Sequence, residues 1–283
     1  MGKKKNTKKL IFIDLDKTLI DSDYKTTLPK AELAKYFRKV SKKDLVVGIS
    51  SDSAIGTIED IANECNIIGP IIAENGSLLS TTANPGVHEE NIKKVNFFPD
   101  LRKAIMEQLY GKTTAIVVGN VNLLSRSLRG STYNLGPIDR IIMVNAYRRA
   151  SMSFYAIGKV KGKWQKTRGI IEEAVKDVKG IIRKDFPGCL KRCVFDVNHD
   201  YGICIIREKG VSKSSAIPKI KKKYPGYEIY VIGDSMGDLY NISGIIHCAV
   251  GNASLEFKKR CLLIAKNSYS KGVVELVDKI ISK

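Results

Sequence analysis

Histidine is scarce, three in 283 residues, and tryptophan occurs once. No two of the six cysteines (Cys65, Cys189, Cys193, Cys204, Cys248 and Cys261) form a C-x-x-C pair. These shortages exclude the common Cys/His zinc modules, whose ligands recur at short spacings. Cys204 lies between Ile203 and Ile205, the setting of a buried reduced thiol, as expected of a cytoplasmic protein. No apolar run is long enough to cross a bilayer, so no membrane segment is expected. The lysine-rich start leads into a short apolar run broken by Asp14, which argues against a signal peptide. Asn6 stands where a myristoylation pattern needs Ser or Thr. Acidic residues are outnumbered, 29 against 48 Lys and Arg, for a formal charge of +19. That balance suits an anionic partner, or else a solvated lysine surface. The lysines are scattered and no nucleic-acid motif accompanies them, so nucleic acid is not the expected partner.

What is present is a core-forming chain with 43% hydrophobic residues. Over the first 80 residues, short branched runs alternate with helical patterns. Strands are expected at 10–13, 45–49 and 71–73, and helices at 29–43 and 53–65. Such alternation builds a parallel sheet with helices on its faces. From about 81 to 207 the pattern becomes α+β, with strands at 114–118 and 201–206 and a long helix over 163–184. Alternation then returns, with a helix at 212–224 that must accommodate Pro218, strands at 228–232 and 247–250, and a last helix at 272–281. The expected architecture is an α/β, Rossmann-like, doubly wound core, residues 1–82 and 208–283, split by an inserted α+β cap domain at 83–207.

Ligands of open α/β sheets bind beyond the carboxyl ends of the strands, and four such positions here carry chemistry. Asp14 ends the first strand and Asp16 follows two residues later. One carboxylate can attack phosphorus, while the other protonates the leaving oxygen and then activates water. Two acids this close repel one another, and a cation relieves the repulsion. Gly233-Asp234-Ser235-Met236-Gly237-Asp238 supplies two more acids across a turn. Asp14, the Asp16 carbonyl and Asp234, with Asp238 as a ligand through water or as support, suit Mg²⁺. Ser50 and Ser51 are the candidates to hold a phosphoryl oxygen by hydroxyl and backbone N–H groups. Lys213, at the expected start of a core helix, can place a charge on phosphate, helped by the helix N-terminus.

These residues resemble the four motifs of the haloacid dehalogenase (HAD) superfamily. Ile11-Phe12-Ile13-Asp14-Leu15-Asp16-Lys17-Thr18-Leu19 is similar to the first motif, Ser50 to the second, Lys213 to the third, and the Gly233–Asp238 stretch to the fourth. Glu74-Asn75-Gly76, Lys209-Gly210-Val211-Ser212-Lys213 and Val250-Gly251-Asn252-Ala253 resemble the Cof-type branch, subfamily IIB. The resemblance implies a Mg²⁺-dependent phosphatase with Asp14 as nucleophile and Asp16 as acid/base. Within the branch, Asp-Lys-Thr-Leu, Ser50-Ser51 and Glu-Asn-Gly-Ser are similar to mannosyl-3-phosphoglycerate phosphatases. Lys-Gly-Val-Ser-Lys looks more like trehalose-phosphate and phosphoglycolate phosphatases. The expected substrate is a small phosphorylated metabolite, a sugar or polyol phosphate. A phosphomannomutase-like transfer is the alternative, and a basic nucleic-acid-binding protein a third reading. The second motif departs from many relatives, reading Ser50-Ser51-Asp52 where they continue Thr-Gly-Arg.

In the cap, Arg126 and Arg129 are candidates for a second anionic group of the substrate, though exposed arginines on a strand or loop would read the same way. Asn75 is a further substrate candidate. Trp164 is expected to anchor the long cap helix.

Overall fold

A computed structural model of the chain describes residues 7–41, 44–80, 89–90, 97–119 and 121–283, and, within helix 121–128, not the side chains of Asn122, Leu123 and Arg126. The chain divides into two compact units, Met1–Asn91 with Val211–Lys283, and Ile92–Gly210. The elements of the first unit up to the division are β1 (Lys9–Ile13), α1 (Lys30–Val40), β2 (Leu45–Ser50), α2 (Ile55–Glu64), β3 (Ile71–Ala73), β4 (Leu78–Ser80) and β5 (Glu89–Glu90). The second unit contains α3 (Phe98–Leu109), β6 (Thr114–Gly119), α4 (Val121–Leu128), β7 (Arg140–Asn145), β8 (Met152–Val160), β9 (Lys163–Gln165), α5 (Arg168–Asp185), α6 (Cys189–Arg192), β10 (Cys193–Asn198) and β11 (Ile203–Glu208). The first unit resumes with α7 (Ile217–Lys223), β12 (Glu228–Gly233), β13 (Ile245–Ala249), α8 (Leu255–Lys258), β14 (Leu263–Ile264) and α9 (Tyr269–Ile281). No helix among the described residues is long and apolar enough to cross a membrane.

The first unit's sheet runs β14-β13-β12-β1-β2-β3-β4-β5. Its strands from β14 to β3 are parallel, and β4 and β5 continue it antiparallel. β1 is central, buried along nearly its whole length, which is why its sequence is a continuous apolar run. The chain proceeds outward from β1 through β2 and β3, then returns to lay down β12, β13 and β14 on the other side. The order therefore reverses between β1 and β12, and ligands of open α/β sheets bind at such a point. Leu10 and Phe12 of β1 pack with Ile229 and Val231 of β12 and with Ala216, Ile217 and Ile220, which puts α7 on that face. Tyr36 of α1 bonds to Asp278 of α9 at 2.7 Å.

A loop-to-helix brace closes the sheet's far end. Glu275 of α9 accepts the N–H groups of Lys266 and Asn267, the Asn267 side chain, and Lys279 Nζ at 2.7 Å. Desolvation pushes its carboxyl up, but these bonds outweigh it and hold it down at about 2, against an ordinary 4.5. A depressed acid contributes stability that is present above 4.5 and lost as the pH falls towards 2. Glu275→Gln is expected to cost about 1 kcal/mol near neutrality, the modest value for a solvent-facing site. The gap from wild type in urea unfolding should narrow in acid. A gap constant with pH would remove the carboxylate charge from this role.

The second unit's sheet runs β10-β11-β8-β7-β6, with β9 paired to β8. Helices α3 and α5 pack on one face, through Leu101, Ile105, Ile171, Val178 and Ile182. Three expectations are corrected here. Residues 163–165 form a strand, and the long helix begins only after Thr167, whose side chain caps it through Ile170 N–H. Trp164 therefore does not anchor that helix. It lies on β9, wholly buried against Val121 and Leu128 of α4 with Ile141, Met143, Tyr155 and Ile157, and its Nε1 donates to the Tyr133 carbonyl at 2.8 Å. The segment around Arg126 is helical rather than strand or loop. Arg129 is exposed just past its end, and the side chain of Arg126 lies outside the described residues. The six cysteines are all unpaired; Cys189 and Cys261 are only half-buried. Desolvation pushes the Cys65 and Cys193 thiols up to about 11, and those of Cys204, Cys248 and Cys261 to about 12.

Candidate active site

Asp14 leaves the end of β1, its N–H bonded to the Ile232 carbonyl of β12 at 2.9 Å. The central strand thus delivers this carboxylate to the switch point. Only 5% of Asp14 is exposed. Lys213 Nζ donates to its Oδ1 at 2.7 Å and the Thr18 hydroxyl to its Oδ2 at 3.1 Å, so both oxygens are oriented. The same Lys213 ammonium donates to Asp238 Oδ1 at 2.8 Å. Asp238 Oδ2 accepts the N–H groups of Asp234 at 3.2 Å and Ser235 at 3.4 Å. This closes the Gly233–Asp238 turn. Gly233 is required there, because a Cβ at that position would stand 2.3 Å from Asp238 Oδ2.

Carboxylate oxygens of Asp14, Asp234 and Asp238 lie within 4.8 Å of one another. Burial and the Asp238 charge push Asp14 well above the carboxylate range, and Lys213 offsets this only in part. Burial and Asp238 likewise raise Asp234 to about 6. Burial opposes the charge on Lys213, but Asp14 and Asp238 outweigh it and hold the ammonium well above its usual value. Three crowded carboxylates, set against the buried Lys213 ammonium and the Lys17 charge that reaches Asp234, leave an excess of negative charge in a desolvated place. Such an all-oxygen donor set fits a hard divalent cation.

Asp16 lies close enough for its charge to raise both Asp14 and Asp234, and its Oδ2 accepts the Ser53 hydroxyl at 2.8 Å. Lys17, next in the chain, has φ +61°. Asn252 Nδ2 donates to its carbonyl at 2.7 Å, while Asn252 Oδ1 accepts Tyr269 N–H. The Val250–Ala253 stretch therefore fixes the turn carrying Asp16.

Ser50 and Ser51 are both buried at the end of β2. The Ser51 hydroxyl accepts Ser53 N–H at 3.1 Å, which ties it to its own turn. Glu74-Asn75-Gly76 forms a left-handed turn with φ of +51°, +57° and +91°. Asn75 N–H donates to the Ser51 carbonyl at 3.2 Å. On its other side the turn abuts the chain before Lys213, where a Cβ at Gly76 would come 2.0 Å from the Ser212 carbonyl oxygen. This turn thus clamps two site loops through its backbone.

One positional expectation changes. Lys213 does not open an α-helix. It begins the four-residue 3-10 turn Lys213–Ala216, capped reciprocally by Ser212 and Ser215, and α7 follows with Pro218 in its first turn. Proline is tolerated only where no helical N–H is needed, which delays the α-helix past Lys213. Lys213 therefore brings its own charge to the site without an α-helix N-terminus behind it.

Sequence reasoning assigned no role to Thr18, Ser53, Tyr240 or His247. Thr18 was visible two residues after Asp16. The other three announce nothing locally. Tyr240 lies two residues past Asp238, with its Oη 2.5 Å from Ser50 Oγ and its N–H donating to His247 Nε2 at 2.9 Å.

Fold and site together define an α/β protein with a carboxylate–lysine centre at the switch point of its sheet. The family model of haloacid dehalogenase-like hydrolases matches residues 11–277, and the chain belongs to that family. A search of curated protein sequences gives no match. Among solved structures, a Thermoplasma acidophilum protein is similar at 20% identity, TM-score 0.60, covering 98% of this chain and 99% of that one. A haloacid dehalogenase-like hydrolase from Bacteroides thetaiotaomicron gives 17%, TM-score 0.62, with 96% and 99% covered. A HAD subclass IIB sugar phosphatase gives 16%, TM-score 0.54, with 96% and 98% covered. At these identities the likeness is one of fold.

Proposed function

We propose that the protein is a cytoplasmic Mg²⁺-dependent phosphatase acting on a small phosphorylated metabolite, a sugar or polyol phosphate, through an aspartyl-phosphate on Asp14. The observation that carries this reading is the buried Asp14–Lys213–Asp238 arrangement beside Asp234, with the Asp16 carboxylate oriented by Ser53. A carboxylate attacks well only when ionised, and burial works against ionisation at Asp14. Mg²⁺ on Asp14, the Asp16 carbonyl, Asp234 and Asp238 would supply the missing positive charge there and neutralise phosphate.

Asp14 attacks phosphorus, and the bond to the ester oxygen breaks as Asp16 gives that oxygen its proton. Water then attacks the phosphorus of the acyl phosphate and gives its proton to Asp16, restoring Asp14 and releasing inorganic phosphate. Ser50 and Lys213 hold the phosphoryl oxygens as charge moves. The expected cap, residues 83–207, would choose the leaving group, with Arg126, Arg129 and Asn75 as candidates for its polar or anionic groups. A sugar phosphatase of subclass IIB among the fold relatives supports this choice of substrate class.

The test is phosphate release from a panel of sugar, polyol and short-acid phosphates, with Mg²⁺ and with EDTA. Release lost in EDTA and restored by added Mg²⁺ is expected. Conversion of mannose-1-phosphate to mannose-6-phosphate, stimulated by a sugar bisphosphate, would instead make the protein a mutase. No turnover and no trapping of a beryllofluoride acyl-phosphate mimic would sink the reading.

A further inference from the structure

We propose that Tyr240 is a positioning residue for phosphoryl binding, acting through Ser50. The inference rests on the phosphatase reading and deepens it. Ser50 ends β2 and Tyr240 follows the turn after β12, 190 residues later, yet their hydroxyl oxygens are 2.5 Å apart. Both residues are almost fully enclosed, 1% and 3% exposed. Tyr240 belongs to the buried cluster that includes Leu10, Phe12, Ile72 and Val231, which confines its ring. Its backbone is fixed as well, because its N–H donates to His247 Nε2 on β13.

This geometry decides what the Ser50 hydroxyl can do. A serine hydroxyl is a free rotor with one proton and two lone pairs. By itself it samples three staggered directions, and its proton is aimed at a ligand only part of the time. A tyrosine hydroxyl on one lone pair removes that freedom. Either oxygen can be the donor in the pair alone, but an anionic phosphoryl oxygen sets the direction. Tyr240 then donates to Ser50, and Ser50 donates onward to phosphate. Hydrogen bonds in such a chain strengthen one another, most where water is excluded. Tyr240 follows directly on the turn that carries Asp238, which holds Lys213. One short stretch of chain therefore orients two arms of the phosphate cradle.

The simpler alternative is that Ser50 merely satisfies a buried tyrosine hydroxyl. A double-mutant cycle on Tyr240→Phe and Ser50→Ala separates the two. Tyr240→Phe keeps the ring and so the packing; circular dichroism and the melting temperature check this. It is expected to lower kcat roughly tenfold with KM little changed, as for a group that helps only as charge develops. In the Ser50→Ala background the same substitution should cost far less, since the hydrogen-bonded route through Ser50 is gone and only the weaker influence of Tyr240 on Lys213 is left. Orthovanadate affinity with Mg²⁺ should show the same pattern without turnover. Additive losses in the two measurements would overturn the proposal while leaving the phosphatase reading intact. If wild type binds vanadate but neither releases phosphate nor traps the beryllofluoride mimic, the phosphatase reading fails and the cycle is decided on binding. If wild type neither turns over nor binds vanadate, both are rejected.

Discussion

Asp14→Asn is expected to cut phosphate release by at least about a thousandfold, the scale for loss of a covalent nucleophile, while the protein stays folded. The side chain keeps its shape. Its oxygen can accept from Lys213, and its NH₂ can donate to the Thr18 hydroxyl, which accepts as readily as it donates. Burial and Asp238 already disfavour a charge at this position. A neutral amide relieves that repulsion, so the metal-free variant should melt at or above the wild-type temperature. Calorimetry and phosphate release together decide the matter. Turnover within tenfold of wild type would put the nucleophile elsewhere. Loss of folding would make Asp14 a structural residue.

Lys213→Met should produce the largest stability loss. The ammonium sits between Asp14 and Asp238, at 2.7 and 2.8 Å, with little of any of the three side chains exposed. Removing one partner from a buried ionic group leaves uncompensated charge and costs about 3–5 kcal/mol. Activity should fall roughly 10²- to 10³-fold, as when a donor to developing negative charge is lost. The stability loss carries a pH signature. Without the lysine, Asp14, already held well above its ordinary 3.8, rises further, and Asp234 already stands at about 6. A group raised by folding contributes stability below its unfolded value that is lost as pH rises through the folded one. The variant should therefore lose least near pH 4 and progressively more through pH 6 and above, with Mg²⁺ restoring part of the difference at pH 8. Urea unfolding at pH 5 and 8, with and without Mg²⁺, measures this. Equal destabilisation under all four conditions would mean that packing, not charge, is what Lys213 provides.

The parts readable from the sequence were those set by neighbours in the chain. Buried parallel strands appear as short branched runs, and Asp14 and Asp234 follow two of them. The doubly wound core could be inferred because strand and helix periodicities differ over only a few residues. Reading failed where tertiary context overrode local pattern. Lys163-Trp164-Gln165 looks like the start of a helix until β8 is present to pair with it. The segment before α7 looks helical, yet it first makes a 3-10 turn, which brings Lys213 to Asp14.

By itself the sequence determined which acids stand at strand ends and that they could cluster, because the pleat and the turn are local properties. Only the tertiary structure decided who partners whom. It set Lys213 between Asp14 and Asp238, assigned Ser53 to Asp16, and brought Tyr240 to Ser50 across 190 residues. The physical reason is that a hydrogen bond needs its atoms within about 3 Å, and only the order of strands in the sheet brings such distant residues that close.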